Sequence, residues 1–318
     1  MKIIKQGSYI NYVRRIDENT LESGAMLVST DFEGSASLFF VPETYEVKDA
    51  VWGIHHAKDP ERRGEGRATM LIGESCYATD RNSIKIMPDY SKSVDYSVPP
   101  GGWEGAATNK SQLVEAIADD DKERAVAEKA NVSPEWENIR ELFLEAVRGA
   151  YQAEFYLLEE REFGSLLNYE INWIATKDND YCRPYHNTKP EVNEWPEHTG
   201  AVEHYRRKDL YNKYISHVLM DRGGDQIEAF GSFHDSFHEM SVLFHYGKED
   251  GIITDLEVDI VRVPMKACWG LQDVDYASHF VGRNVYELKK RDVGKAMGKG
   301  PGCFHLVDVM YDIILNIV

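Results

Sequence analysis

The chain has few cysteines and no long hydrophobic run. Its four cysteines are widely spaced and include no C-x-x-C pair, so neither a zinc ribbon nor a disulfide framework is predicted. No apolar run approaches the roughly 18 residues that a membrane span needs, and the first seven residues are too short and too polar for a signal peptide. We therefore expect a cytoplasmic protein whose thiols are reduced and mostly buried.

Basic residues are also scarce. The chain has 36 lysines and arginines against 54 aspartates and glutamates, which gives a formal net charge of −18. Nucleic acids and anionic membrane surfaces are bound by clustered Lys and Arg, so neither is an expected partner. The glycine-rich segment 294–302 lacks the G-x-x-x-x-G-K-[ST] spacing of a phosphate-binding loop. A small-molecule substrate is the expected partner, although an acidic balance is often only a solubility device.

What the chain does have is enough apolar material for a large core, and a weak internal repeat. With 318 residues and 42% hydrophobic residues, it is long enough for two domains of about 150 residues each. The Arg-Arg-x-Asp pattern that starts at Arg14 recurs 192 positions later, starting at Arg206, and Cys76 matches Cys268 at the same offset. Two matches at one offset favour a duplication.

The pattern of apolar residues predicts the same elements in each half. Short β-branched or apolar runs separated by turn residues predict two antiparallel sheets. These runs are 26–28, 37–41, 51–54 and 68–72 in the first half, and 216–220, 227–230, 239–246 and 256–263 in the second. Residues 61–67 are predicted to form an exposed hairpin tip. Amphipathic helices are predicted from Ser133-Pro134 to Ala150 and from about Leu306 to Ile317.

We therefore predict an α+β protein, a pseudo-symmetric duplication of an antiparallel sheet packed by a C-terminal helix in each half. Residues 1–162 form the first repeat, which is degenerate and carries an insertion at 88–132. The insertion has three prolines, and all three lie within 88–100. Residues 163–200 form a connecting segment. Residues 201–318 form the second repeat and carry the candidate site. Sheet edges left by two similar halves favour a homodimer.

The second half contains three histidines and a carboxylate that are candidates for chemistry. His217 and Asp221 are four positions apart, so they share one face of the predicted strand if it continues to Asp221, because side chains of a strand alternate with period two. His238 opens a later strand, and His305 lies at the entry of the final helix. Converging imidazoles and a carboxylate can ligate a divalent metal or transfer protons to and from a substrate. Purely structural histidines are the third alternative.

The first half allows an internal comparison. Near the place of His217 to Asp221 it has Leu27 to Asp31, which keeps the acid and loses the imidazole. Glu46 stands where His238 is expected, and the equivalent of His305 near Asn138 is not a histidine either. If the two halves share a fold, that fold does not require these histidines, and a functional role for them is favoured.

Residues from His204 to Val318 also resemble the bacterial domain of unknown function 2889 family. The resemblance rests on an ordered series of short matches in this sequence, which are Tyr205 to Asp209, His217 with Asp221, His238 to Met240, Asp250 to Glu257, Pro264, Cys268 and Gly302 to Leu306. The chain departs from the family pattern at Phe304, where a hydroxyl residue is usual, and at Arg222-Gly223. The resemblance implies no settled reaction, and it supports the same site residues.

The leading hypothesis is an enzyme, a lyase that cleaves a C–C bond of an aromatic or apolar compound by acid/base catalysis, as in a decarboxylase or retro-aldol enzyme. His217 and His238 would transfer protons, Asp221 would orient an imidazole, and His305 would stabilise developing charge. No organic cofactor is expected. One alternative is a metal-dependent hydrolase or oxygenase with a divalent metal held by His217, Asp221, His238 and His305. Another is a non-catalytic ligand-binding or assembly protein.

Overall fold

The structure, a computed structural model, describes residues 1–56, 59–71, 84–89, 114–116, 134–165, 168–169, 183, 208–298 and 302–317. The chain divides into two compact units. The N-terminal unit comprises Ile10–Tyr169 and Ala201–Asn212. The C-terminal unit comprises Met1–Tyr9, Glu170–Gly200 and Lys213–Val318. Each unit is mixed α+β, which confirms the α+β part of the predicted fold class.

The N-terminal unit contains strands that are hydrogen-bonded to one another in sequence order. They are β1 (Lys2–Asp17, in this unit from Ile10), β2 (Thr20–Ser29), β3 (Phe32–Phe40), β4 (Val47–His56), β5 (Asp59–Leu71), β6 (Ile84–Asp89) and β7 (Val114–Ala116). Pairing from β2 through β7 is antiparallel. In β3, buried residues alternate with more exposed ones, as expected of a strand that packs one face on a core.

Helix α1 (Pro134–Gln152) packs on β2 and β3. It begins at a proline, whose missing N–H is not needed in the first helical turn. Its buried hydrophobic residues recur at the predicted helical spacing; they are Ile139, Leu142, Phe143, Ala146, Val147 and Ala150. A short 3₁₀ helix, Ala153–Tyr156, follows.

The C-terminal unit contains an antiparallel sheet with the order β11-β10-β9-β8. Its strands are β8 (Asp209–Asp221, in this unit from Lys213), β9 (Gln226–Asp235), β10 (Glu239–Gly247) and β11 (Ile253–Arg262). The helices that follow are α2 (Lys266–Trp269), α3 (Ala277–Phe280), a 3₁₀ helix (Val285–Glu287), α4 (Lys290–Met297) and α5 (Phe304–Ile317).

Helix α5 lies closely on β9 and β10 because β9 presents a glycine beneath it. A Cβ atom on Gly231 would lie 2.8 Å from Ile313 Cδ1 and 3.0 Å from Val309 Cγ1, so a larger residue would push the helix away. Leu306, Val309, Met310, Ile313 and Ile314 are buried, which confirms the predicted apolar stripe. The face of the sheet that carries Gly231 is therefore the face that α5 covers.

The eight predicted runs fall on β2 to β5 and on β8 to β11, whereas β1, β6 and β7 were not predicted. The prediction of a hairpin tip at residues 61–67 is wrong. Strand β5 runs through this segment, where Gly64 pairs with Ile54 and Gly66 with Trp52 of β4. Glycine permits a turn without requiring one, so strand pairing decided the outcome. Of the predicted insertion at 88–132, residues 88–89 belong to β6 and 114–116 form β7; the remainder lies outside the described residues. No helix within the described ranges is both long and apolar enough to cross a membrane.

Candidate functional site: an Asp-His-His group in the C-terminal unit

The turn between β9 and β10 brings Asp235 and His238 together. Oδ1 of Asp235 accepts hydrogen bonds from the backbone N–H groups of Phe237 at 2.7 Å and His238 at 2.5 Å. Aspartate commonly folds a turn in this way, by capturing backbone donors two and three residues further on. The same carboxylate accepts a hydrogen bond from Nδ1 of His238, which lies 3.0 Å from Oδ1 and 3.2 Å from Oδ2. The residue that shapes the turn therefore also orients the imidazole.

Arg262 of β11 holds this turn from outside. Its guanidinium donates hydrogen bonds to the backbone oxygen of Ser236 at 2.9 Å, of Asp235 at 2.7 Å and of His238 at 3.3 Å. Three carbonyls of one turn share one rigid cation, which limits the motion of the turn. Asp235 and His238 are thus fixed by contacts on both sides.

Helix α5 supplies the third member of the group. His305 lies in its first turn, with the imidazole centroid 4.1 Å from that of His238 and 4.4 Å from the ring of Phe233. Nδ1 of His305 lies 3.7 Å from Sγ of Cys303. Asp235 and His238 are buried, whereas His305 is only half-buried. Solvent therefore reaches this group mainly at His305.

Asp235 is the electrostatic centre of the group. Burial by itself would raise the pKa of this carboxyl, but the charge of His238, its hydrogen bond to the carboxylate and the charge of His305 outweigh burial. The pKa of Asp235 is consequently held well below its usual range. A carboxylate that stays ionised can fix the tautomer of His238 with the proton on Nδ1, which leaves Nε2 as the acceptor.

We call Asp235, His238 and His305 the Asp235 site. Each of these residues can direct one ligand atom towards a common point. These three atoms lie within 4.8 Å of one another. Among the residues that the structure describes, this is the one group of three or more His, Cys, Asp or Glu side chains arranged closely enough to hold a metal ion. Two imidazoles and one carboxylate are a known ligand set for transition metals. The same three side chains can also serve proton transfer, since an oriented imidazole beside a second imidazole provides both a base and an acid.

His217 lies in a different group on the same covered face of the sheet. Its Nδ1 donates a hydrogen bond to Oδ2 of Asp312 at 2.6 Å, and Nδ2 of Asn316 lies 3.5 Å from the same nitrogen. The side chain of His217 is fully buried, and its Nε2 has no hydrogen-bond partner among the described residues. Asp312 follows His305 by seven residues, which is about 10 Å along a helix. The His217–Asp312 pair is therefore separate from the Asp235 site.

The expected convergence of four residues on one point is only partly realised. His238 and His305 meet, whereas His217 pairs with Asp312. Asp221 does not orient an imidazole: it accepts a hydrogen bond from Lys248 Nζ at 2.9 Å and one from the backbone N–H of Gly223 at 2.7 Å. Burial is slight there, and the hydrogen bond from Lys248 lowers the pKa of Asp221. Asp221 is the last residue of β8, and the turn that follows the strand places its carboxylate beside Lys248.

Two acids of these groups were not among the predicted site residues. Asp235 could have been found from its place three residues before His238 in a short hairpin connection, a position that favours turn-forming aspartate. Asp312 could have been found because His305, Asp312 and Asn316 are seven and four residues apart in one helix and so share a face. Neither signal states which histidine the acid will meet.

The two described cysteines are free and buried. Burial raises the pKa of Cys268 to about 12 and that of Cys303 to about 11. Thiols with raised pKa are weak nucleophiles, so both are structural side chains rather than candidates for covalent catalysis. The prediction of buried thiols is confirmed for this pair; Cys76 and Cys182 lie outside the described residues.

Comparison with known proteins gives a family match for the C-terminal portion of the chain. No curated protein and no solved structure matches it. The resemblance noted from the sequence is confirmed, and the matched region contains every residue of the Asp235 site and of the His217–Asp312 pair. The C-terminal portion of the chain, residues 200–315, matches the family described as Protein of unknown function (DUF2889).

Proposed function

We propose that the C-terminal unit is a small-molecule enzyme, a lyase that cleaves a C–C bond by acid/base catalysis at the Asp235 site. The observation that carries the proposal is the hydrogen bond from His238 Nδ1 to the buried carboxylate of Asp235, beside the half-buried His305. A carboxylate behind an imidazole is the arrangement by which many enzymes orient a general base.

Each residue has a distinct role. Asp235 fixes the ring and tautomer of His238 and stabilises the imidazolium that forms when Nε2 takes a proton. His238 is the base, and His305 is the proton donor that faces solvent. Decarboxylation and retro-aldol cleavage both need such proton transfers, and neither needs the nucleotide motifs that the sequence lacks.

The surroundings favour an aromatic or otherwise apolar substrate. The ring centroids of Phe233 and Phe237 lie 6.2 and 6.4 Å from that of His238, and the ring of Phe233 lies 4.4 Å from that of His305 in a tilted arrangement. Binding sites for small organic molecules are typically lined by aromatic side chains with a few polar groups among them. The proposal therefore places this protein in the catabolism of aromatic compounds.

A metal-dependent hydrolase or oxygenase is the second candidate, because three ligand atoms lie within 4.8 Å of one another. Both oxygens of Asp235 are, however, within hydrogen-bond distance of His238 Nδ1, and Oδ1 also accepts two backbone N–H groups. A metal would compete with these donors for the carboxylate. The hydrogen bonds therefore favour proton transfer over metal ligation.

The test combines metal analysis with matched histidine variants. Purified protein is stripped with a chelator and offered a panel of phenolic β-hydroxy carbonyl compounds and β-oxo acids, and release of aldehyde or CO₂ is measured. We expect turnover by metal-free protein and loss of about 10²-fold or more in His238→Gln. His234→Gln is the control, since His234 is adjacent in the hairpin but exposed. About one bound metal per chain, with activity lost on chelation, would favour the second candidate.

We also propose that the two units arose by duplication. When 192 is added to their residue numbers, β2, β3, β4 and β5 become 212–221, 224–232, 239–248 and 251–263. The strands observed at these positions are β8 from Lys213 to Asp221, β9, β10 and β11, in the same order. Both sets pair in sequence order, and each unit has a helix on its sheet. An experimental structure in which these strand sets superpose only in another order would contradict this.

A homodimer and a cytoplasmic location remain predictions from the sequence, and light scattering tests the first.

A further inference from the structure

Lys213 is a buried lysine at the start of the C-terminal unit's part of β8. Only 5% of the residue is exposed. Lysine is rarely buried, because removing an ammonium group from water is costly unless other polar groups compensate. Lys213 therefore places a primary amine inside the protein.

Register and burial place Lys213 beside the Asp235 site. Lys213 is the direct cross-strand partner of Asp235 in the pairing of β8 with β9. Buried residues of β8 alternate as 213, 215, 217 and 219, and those of β9 as 227, 229, 231, 233 and 235. His217 contacts α5 through Asp312, and Gly231 lies under α5, so both alternating sets lie on the covered face.

Distance along the sheet supports the same placement. Directly opposed side chains on one face of an antiparallel pair have Cβ atoms roughly 5 Å apart. The four-carbon stem of lysine spans about the same length, which brings its amine within reach of groups around Asp235. Asp235 belongs to the same site as His238 and His305, so the register of β8 with β9 is the observation that relates Lys213 to these two imidazoles.

The N-terminal unit offers a comparison that rests on the proposed duplication. Leu21 occupies the position 192 residues before Lys213; it also lies in a strand and is completely buried. A leucine satisfies a buried strand position without polar partners. The fold by itself therefore does not call for an amine at this place, just as it does not call for the histidines of the second half.

We propose that Lys213 is a catalytic residue that forms a Schiff base with the carbonyl group of a β-hydroxy carbonyl compound or a β-oxo acid. This inference rests on the lyase proposed above and deepens it. Breaking the C–C bond leaves an electron pair that passes into the carbonyl group of the substrate, and a protonated imine accepts this pair more readily than the carbonyl itself. A protonated imine formed on a lysine supplies that acceptor from the protein's own side chains.

The step balances without an oxidant or reductant. The amine attacks the carbonyl carbon, a C–N bond forms, and the oxygen leaves as water with one proton from the amine and one from His305, which leaves a protonated imine. His238 then removes the proton of the β-hydroxyl, the bond between the α and β carbons breaks towards the iminium, and an aldehyde departs. From a β-oxo acid, CO₂ departs instead. Protonation of the enamine at carbon and addition of water release the carbonyl product and restore Lys213.

Reductive trapping tests the proposal on the full chain. The protein is incubated with benzaldehyde and sodium cyanoborohydride at neutral pH, and modified lysines are located by peptide mass mapping. We expect Lys213 to be benzylated more than about tenfold faster than any other lysine, because the site holds the carbonyl beside the amine. Modification spread over exposed lysines with Lys213 unmodified would overturn the proposal. This map of the wild-type protein decides the matter even if variants fold poorly.

Variants separate this proposal from other roles of the amine. Lys213→Arg keeps a long side chain that ends in nitrogen but cannot form an imine, so turnover that survives in Lys213→Arg would overturn the Schiff base. Lys213→Met should lose both trapping and turnover, and the control Lys248→Arg should keep both, since Lys248 pairs with Asp221 in a turn. Trapping at Lys213 with turnover insensitive to His238→Gln would leave the Schiff base standing and remove the acid/base proposal. Turnover that needs His238 without trapping at Lys213 would do the reverse.

Discussion

His217 of β8 and Asp312 of α5, 95 positions apart in the chain, form a buried hydrogen bond of 2.6 Å between Nδ1 and Oδ2. This bond ties the last helix to the sheet. Because α5 also carries His305 in its first turn, the bond helps to hold one member of the Asp235 site in place.

Removing one partner of this pair should be costly. We expect His217→Ala or Asp312→Ala to lower the free energy of unfolding by about 3–5 kcal/mol, since each leaves a buried polar group without its partner. A double-mutant cycle in urea should show a coupling energy of about 1–3 kcal/mol. Arg222→Ala is the control, because Arg222 pairs with Glu228 with 60% of its side chain exposed, and its loss should cost at most about 1 kcal/mol. Additive losses at His217 and Asp312 would contradict the pairing.

Asp235 should stabilise the protein in a pH-dependent way. Its pKa is depressed in the folded state, so its contribution is present above the unfolded value of about 3.9 and is lost as the pH falls through the folded value. We expect Asp235→Asn to cost about 3 kcal/mol near pH 7. The difference from wild type should persist to about pH 5 and narrow below about pH 4.

Urea denaturation at a series of pH values measures this dependence. Asp221→Asn serves as the comparison, since the pKa of Asp221 is also lowered, by its hydrogen bond from Lys248, but in an exposed turn. Its effect should be much smaller at every pH. A difference between wild type and Asp235→Asn that grows towards acid would show that the carboxyl is not held ionised.

Glycine at position 231 should be required by the close approach of α5. Gly231→Ala places a Cβ atom 2.8 Å from Ile313, and we expect a loss of about 1–3 kcal/mol through overpacking. Gly294→Ala in α4 is the matched control: its Cβ meets nothing within 4 Å, and we expect a gain of about 0.5–1 kcal/mol from helix propensity. Thermal unfolding followed by circular dichroism distinguishes the two, and equal effects would argue against the packing of α5 on β9.

The buried thiols should resist modification in the folded protein. In a Cys76→Ser/Cys182→Ser background, Cys268 and Cys303 should react with a disulfide reagent at pH 8 at least about 100-fold more slowly than in guanidinium chloride, because burial raises both pKa values. Absorbance of the released thiol gives both rates. Rapid reaction of the native protein would place at least one of these sulfurs near the surface.

Local patterns determined the elements of this protein. Apolar runs located β2 to β5 and β8 to β11, whereas no run predicted β1, β6 or β7. Helical spacing located the buried faces of α1 and α5, because burial of a strand or helix face imposes its own period on the sequence. Proline at residue 134 marked the start of α1. Spacing could not assign residues 61–67, since glycines suit both a turn and a strand that accepts them.

The partners of the candidate residues were decided by tertiary structure alone. His217 and Asp221 were predicted to act together because they are four positions apart on a strand, yet His217 meets Asp312, 95 positions away, and Asp221 meets Lys248 in a turn. Strand register set Lys213 opposite Asp235, and the packing of α5 on Gly231 brought His305 to His238. Sequence spacing fixes which face a side chain occupies, whereas contacts across strands and between a helix and a sheet depend on register and packing, and these depend on the whole core.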